Sequence, residues 1–312
     1  MSQDVINCSV CDRRTPAARA VCLYCGAALP VTKIAAIPTQ RILESFEHAF
    51  NTIIEPYKSR LTSDTALQLA EAMQVELAEA QPFLAATRPV PISRCQTRQE
   101  AELIAELVRS FGLTAYVVAD DELQIERELT RARRVSIMGE ALQVQHFNGE
   151  FEVPIAGIRL MVVGGIRNIK TDFAENPKGL GKKSGGVVDT AEFRSDELLL
   201  DVYAASLDDS FRIRAEAFDY SALVMPLYFR TELNFKEVIN RLKALVPHAI
   251  IDSEFGEIQS LLARAWPPRS HTQARGVKRS SMFKRVSLST ISSDNRDQFE
   301  RYSRLLFLQA KK

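Results

Sequence analysis

Four cysteines open the chain in two matched pairs, Cys8-Ser-Val-Cys11 and Cys22-Leu-Tyr-Cys25, separated by ten residues. A two-residue gap lets both sulfurs of one tight turn point at a single ion. Two such turns supply four soft ligands in a tetrahedron, the geometry a structural Zn²⁺ takes. A closed four-thiolate shell leaves no position for water, so no catalytic role is expected of it. Two disulfides, free thiols and an iron–sulfur cluster are the competing readings of the same spacing. Gly26 directly follows Cys25, where a knuckle turn often needs positive φ. Cys95 stands apart and reads as a buried apolar residue.

The phrase Cys22-Leu-Tyr-Cys25-Gly-Ala-Ala-Leu-Pro30 resembles the second half of the short zinc ribbons found at the ends of many bacterial proteins. The likeness covers residues 6–31 and lies in ligand spacing; neither knuckle carries an internal proline. It implies a zinc-holding chain cap or interaction knob, without naming a partner.

Little else has the pattern of a reaction centre. His48, His146, His248 and His271 fall in separate segments, and no His-Glu-x-x-His, Gly-x-Ser-x-Gly or Gly-x-Gly-x-x-Gly occurs. Asp120 with Asp121, and Asp208 with Asp209, sit at turn positions where solvation explains them. The run from Asn176 to Gly186 invites comparison with a phosphate-binding loop. It has Lys183 after Gly181-Lys182, Asn176 five residues before Gly181, and strands rather than a helix around it. A flexible inter-strand loop is the expectation, and the protein is not expected to be an enzyme.

Charge gives a second lead. The net charge is +1, yet from Ile258 to the end there are 12 Lys/Arg against three acids, leaving a net −8 on residues 1–257. Arg264 to Arg285 holds seven basic residues, two prolines and no acid. Such a composition predicts a disordered or long looped segment that binds acidic partners, or folds back on the acidic body. The anion-binding candidates are Arg269, Arg275, Lys278, Arg279, Lys284 and Arg285, with Lys178, Lys182 and Lys183 in the glycine-rich loop.

The elements that would position these groups make an α+β protein. After the ribbon (1–31), apolar residues from Ile42 to Tyr57 recur at helical spacing and a second helix runs from Ser63 to about Ala80, with Pro82 at its end. Together they predict a helical hairpin over 39–88. Residues 89–128 read as β-α-β: a strand over Pro91 to Cys95, a helix from Thr97 with Glu100 at its third position, and a strand over Ala115 to Ala119. This β-α-β unit, over residues 91–125 and with its helix phrase Glu100 to Leu113, is similar to small bacterial modules described as signal-transducing.

From Arg133 the apolar period switches to two. Strands are expected at 134–138, 141–147, 151–155, 159–166, 197–204 and 210–215, with a turn at Asn148-Gly149 and a closing helix over 233–246. Strands followed by one helix resemble the pleckstrin-homology-like barrels of bacteria, over residues 133–246 of a unit drawn at 133–257. A basic linker (258–293) and a terminal amphipathic helix (294–312) complete the chain.

No secretory pattern opens the sequence and no apolar run approaches the roughly 18 to 20 residues of a membrane span. A cytoplasmic, zinc-binding, non-catalytic adaptor is therefore expected, recognising a protein partner or an anionic surface such as a membrane. A nucleic-acid-associated protein using the ribbon and the basic tail is the alternative. Oligomeric state is left open.

Overall fold

The structure is a computed structural model describing residues 5–16, 22–27, 37, 43, 47–57, 63–175, 187–281 and 284–311. It is a mixed α+β fold. The chain divides into two compact units, residues 1–125 with 258–267, and residues 126–257 with 268–312.

The first unit begins with β1 (Val5–Asn7) paired antiparallel to β2 (Arg14–Pro16). Then come β3 (Phe50–Ile54), α1 (Ser63–Met73), α2 (Leu77–Ala85), β4 (Val90–Cys95), α3 (Arg98–Ser110), β5 (Ala115–Ala119) and the short α4 (Asp120–Leu123). The expected helix over Ile42 to Tyr57 is corrected here: its second half is β3. Thr52, Ile53 and Ile54 are β-branched, and a central strand buried on both faces shows the unbroken apolar run that also mimics a helix stripe. β3 lies between β4 and β5, antiparallel to each. The predicted β-α-β module is thus present but incomplete without a strand drawn from upstream.

The helical pair consists of α1 and α2, not the two helices expected. Gln74 takes left-handed φ (56°) just past α1, which ends that helix earlier than its periodicity does. Pro82 lies inside α2 instead of terminating it. α3 follows its sequence signals closely: the Thr97 side chain accepts from the Glu100 amide at 3.2 Å, and Gly112 (φ 81°) closes the other end. Its Ala101, Ile104, Ala105 and Val108 form the buried stripe, packed with Leu69, Met73, Phe83 and Ile92.

On the sheet face away from that stripe, polar side chains are mutually satisfied. Asp120 accepts from Arg94 at 2.7 Å and from the Asn51 amide at 2.8 Å, and Asn51 in turn accepts the Trp266 indole N–H at 2.7 Å. Arg94 also donates to the carbonyls of Leu43 and Glu47. His48 lies outside this cluster, exposed and bonded to Asp121. Cys95 is buried and joined in no disulfide, as its isolation predicts.

The second unit opens with β6 (Thr130–Ala132) and a three-stranded meander: β7 (Arg134–Met138), β8 (Ala141–His146) and β9 (Gly149–Pro154). Gly139 (φ 61°) turns β7 into β8, and the pair His146↔Gly149 closes the predicted second hairpin. Two long strands follow, β10 (Leu160–Glu175) and β11 (Val187–Tyr203), then β12 (Phe211–Arg214), α5 (Thr231–Leu245), β13 (Ile250–Asp252) and α6 (Phe255–Leu262). The chain ends with β14 (Arg269–Ser281), β15 (Lys284–Asp294) and α7 (Arg296–Ala310).

The order of strands and closing helix expected from residue 133 is present, but the strands form two sheets. The larger runs β14-β15-β10-β11-β12-β6, with β13 also on β10. The basic segment read as a disordered or looped linker is therefore corrected: within it, β14 and β15 form a hairpin in this sheet. Its alternating Ser, Thr and small apolar residues support strand geometry, while its charge dominates any reading by composition.

Strand alternation divides the large sheet cleanly. Met161, Leu200, Val202, Phe211 and Ile213 join one core with Phe235, Val238 and Leu242 of α5 and Val135, Leu142 and Val153 of the meander. The other face receives α7. Gly164 of β10 lies against the Phe299 ring so closely that a Cβ there would overlap it. Tyr203 stacks on Phe307 at 4.5 Å, and Phe255 meets Phe299 edge-on at 5.1 Å.

Between these rings lies a buried polar cluster. Asp201 accepts from Arg212 at 2.6 and 2.9 Å and from the Ser303 hydroxyl at 2.7 Å; Arg212 also reaches Glu300 at 2.9 Å. Burial disfavours the Arg212 charge, but Asp201 and Glu300 more than offset it, so the guanidinium stays protonated. Burial, reinforced by Asp201, pushes the Tyr203 phenol up and keeps it neutral. Arg301 and Arg304 of α7 are buried as well. α7 is consequently an interior element, and among the described residues no helix is long and apolar enough to cross a membrane.

Candidate metal centre

The two knuckles are built alike, bond for bond. In the first, Cys8 donates its N–H to the Arg13 carbonyl (3.1 Å) and accepts from the Asp12 amide (2.8 Å). In the second, Cys22 donates to Ala27 (2.8 Å) and accepts from Gly26 (3.0 Å). Each turn needs a left-handed residue after its second cysteine: Gly26 (φ 71°) and Asp12 (φ 54°). The glycine announces this in the sequence; Asp12 does not, although aspartate is among the residues that tolerate it.

Each first cysteine also receives an amide at its sulfur. Val10 N–H points to Cys8 Sγ and Tyr24 N–H to Cys22 Sγ, both at 3.4 Å. The Cys11 amide, and after it the Val10 amide, lower the Cys8 thiol, and the Tyr24 amide leads in lowering Cys22 to about 6. The Ala27 amide pulls Cys25 down, but burial and the other three thiols push it up to about 12. Four sulfurs so close cannot all carry charge unless a cation sits among them.

The four sulfurs lie within 4.8 Å of one another, with Cys8–Cys25 at 3.6 Å and Cys11–Cys22 at 3.5 Å. These two separations are far beyond a disulfide bond, and all four residues are free cysteines. Both lie just under the edge of about 3.8 Å that a tetrahedron has when its metal–sulfur bonds are ~2.3 Å. The donor set therefore fits a metal ion, and its shell closes with four protein ligands. Arg13 lies over the Tyr24 ring at 4.9 Å, a cross-brace from one knuckle to the other.

The basic candidates do not form one site. Lys178, Lys182 and Lys183 lie outside the described residues. Arg269 is engaged within its own unit, 2.6 Å from Asp297, rather than offered to a partner. Lys278, Arg279, Lys284 and Arg285 fall on paired positions of β14 and β15, and Arg275 at an irregularity in that pairing.

One feature escaped the sequence reading altogether. Between the buried Val224 and α5, Met225, Leu227, Tyr228 and Phe229 are exposed, Met225 at 81% and Phe229 fully. This loop is held firmly. The Asn234 side chain accepts from the Tyr228 amide at 2.7 Å and donates to the Tyr228 carbonyl at 2.9 Å. The string Met-Pro-Leu-Tyr-Phe reads as ordinary core; only its place at the start of a helix, beside an asparagine that could clasp it, carries a signal.

No protein-family model, curated protein or solved structure matches this chain.

Proposed function

We propose that this chain is a zinc-binding, non-catalytic adaptor of the cytoplasm whose braced apolar loop, residues 225–229, seats in a groove of a protein partner. The observation that carries the reading is the loop itself. Isolated exposed apolar residues are commonplace, but here four lie in five consecutive positions on a backbone fixed from within. Large aromatic side chains on a pre-organised backbone lose little entropy on docking, which suits them as anchors. The adjoining Arg230 is paired with Glu232, so the loop offers apolar contact without a strong field.

Zinc is the metal that four thiolates in a closed tetrahedron suit best, and a reducing compartment keeps such thiolates available. The ribbon then supplies a fixed end to the chain, and recognition falls to the loop.

A photo-crosslinking residue at position 229, in the full-length protein expressed in its native cell, tests the reading. Capture of one protein that persists in high salt and disappears with Tyr228→Ser is expected. Equal capture from an exposed acidic position such as Glu192 would overturn it. Metal analysis of the purified chain should give one zinc per molecule; iron in its place would refute the metal assignment.

A further inference from the structure

The four knuckle cysteines differ in shelter, and the difference follows their pairing. Cys8 and Cys22 are buried, at 1% and 3% exposure, whereas Cys25 is exposed and Cys11 half-buried. The separation of 3.6 Å joins Cys8 to Cys25, and that of 3.5 Å joins Cys11 to Cys22. Each of these contacts therefore holds one accessible sulfur against one sheltered sulfur, and each runs from one knuckle to the other.

That arrangement suits oxidation in steps. A thiolate's susceptibility to oxidants follows its access to solvent, and the sulfenic acid first formed condenses with a thiol within reach. Disulfide sulfurs lie about 2.05 Å apart, so either pair closes by a movement of about 1.5 Å. The fold thus keeps a resolving thiol beside each sulfur that an oxidant can reach.

We infer that the ribbon is a peroxide-responsive thiol switch: Cys25 is oxidised first, Cys8 closes on it, and the site gives up its metal. This rests on the reading that the four cysteines hold a metal ion. The Cys25 thiolate attacks one oxygen of hydrogen peroxide; the O–O bond breaks, an S–O bond forms and hydroxide leaves. The Cys8 thiolate then attacks the sulfenic sulfur, forming the S–S bond and expelling a second hydroxide. With a solvent proton on each hydroxide, one peroxide becomes two waters and the two sulfurs lose two electrons. Cys11 and Cys22 remain, too few for a closed four-ligand shell. A second peroxide joins them likewise, with Cys11 oxidised and Cys22 closing. Two nested cross-links then tie the knuckles where an ion tied them before, and a dithiol reverses both by thiol–disulfide exchange.

The test treats the full-length protein, with its metal, with hydrogen peroxide, then alkylates in denaturant and digests with trypsin. Cleavage after Arg13 and Arg19 leaves Cys8 and Cys11 on one peptide and Cys22 and Cys25 on another. Disulfides between knuckles join these peptides; disulfides within a knuckle leave them apart. At one peroxide per chain, fragmentation of the joined peptides should place the link at Cys8 and Cys25, with Cys11 and Cys22 alkylated. Metal should pass to a chromogenic chelator in step with that link. Two peroxides per chain should engage all four sulfurs, and dithiothreitol with fresh metal should restore the starting state.

Disulfides within a knuckle, or a link between Cys8 and Cys22, would overturn the inference. So would four cysteines still alkylated after excess peroxide, or metal retained once Cys8 and Cys25 are joined. Oxidation of the buried Cys95 as early as Cys25 would mark general damage and count against it equally. The link is read on the sulfurs themselves. Iron in the purified chain would therefore end the zinc assignment and leave this result to stand or fall alone, and capture from position 229 is independent of both.

Discussion

The ribbon at the start of the chain and the α7–sheet interface near its end are both held by groups that are costly to bury alone. In the ribbon these are four thiols spanning 18 residues, gathered by turns that repeat each other's hydrogen bonds. At the interface they are Asp201, Arg212, Glu300 and Ser303, drawn from two strands and a helix about a hundred residues on. The interface neutralises its charge with its own side chains; the four cysteines of the ribbon lie close enough to hold a metal ion that would do so for them. A local cluster completed by a ligand is readable in sequence and conditional in stability. The interface cluster is the reverse on both counts.

Removing the metal should break this comparison most visibly. Chelation is expected to abolish hydrogen-exchange protection of the Cys8 and Cys22 amides while leaving that of β10 and β11 unchanged. Ribbon amides that stay protected without metal would show that the turns are sufficient alone.

Next in size is Asp201→Ala, which takes from the buried Arg212 guanidinium its two bonds to Asp201 and leaves only that to Glu300, and should cost about 3–5 kcal/mol in urea unfolding. Replacing both partners by apolar residues of similar volume should recover most of that loss, since the expense lies in the buried charge. Gly164→Ala addresses the packing beside the cluster. A methyl group overlapping Phe299 should cost about 1–3 kcal/mol, relieved in part by Phe299→Leu.

The smallest effect concerns pH. Burial raises Glu197, but bonds from Arg296 and Arg214 win and hold it below the ordinary carboxylate range. A depressed acid contributes stability above its unfolded pKa and loses it as pH falls through the folded value. Wild type should therefore weaken more than Glu197→Gln between neutral pH and pH about 3, by equilibrium denaturation at each pH. Equal slopes would remove Glu197 from the interface's electrostatics.

What the sequence revealed follows the same division. Cysteine spacing, the Thr97 cap with Gly112, the meander after Arg133 and the last helix are signalled by residues within a few positions of one another. β3 was hidden because buried strands and helices share apolar runs, and its place between β4 and β5 depends on partners at least 36 residues away. β14 and β15 were hidden by charge: their strand pattern matters only because β10 offers an edge. Arg301 and Arg304 are of a type that usually stays solvated, yet both are buried in α7. The candidate metal site was legible in full, apart from the turn at Asp12, while the apolar loop depends on a clasp by Asn234 that no motif announces.

The indole of Trp266, bonded to Asn51 in the centre of the first unit, sets an order of events during synthesis. When residue 125 emerges from the ribosome, β3, β4 and β5 are all available, yet the Asn51 carbonyl lacks its donor until 141 further residues are translated. The unit made first is thus the one that cannot close until the bulk of the other has been made. Ribosome-bound chains truncated just before position 258 should therefore expose a protease-sensitive first unit, which those extending well past 267 protect.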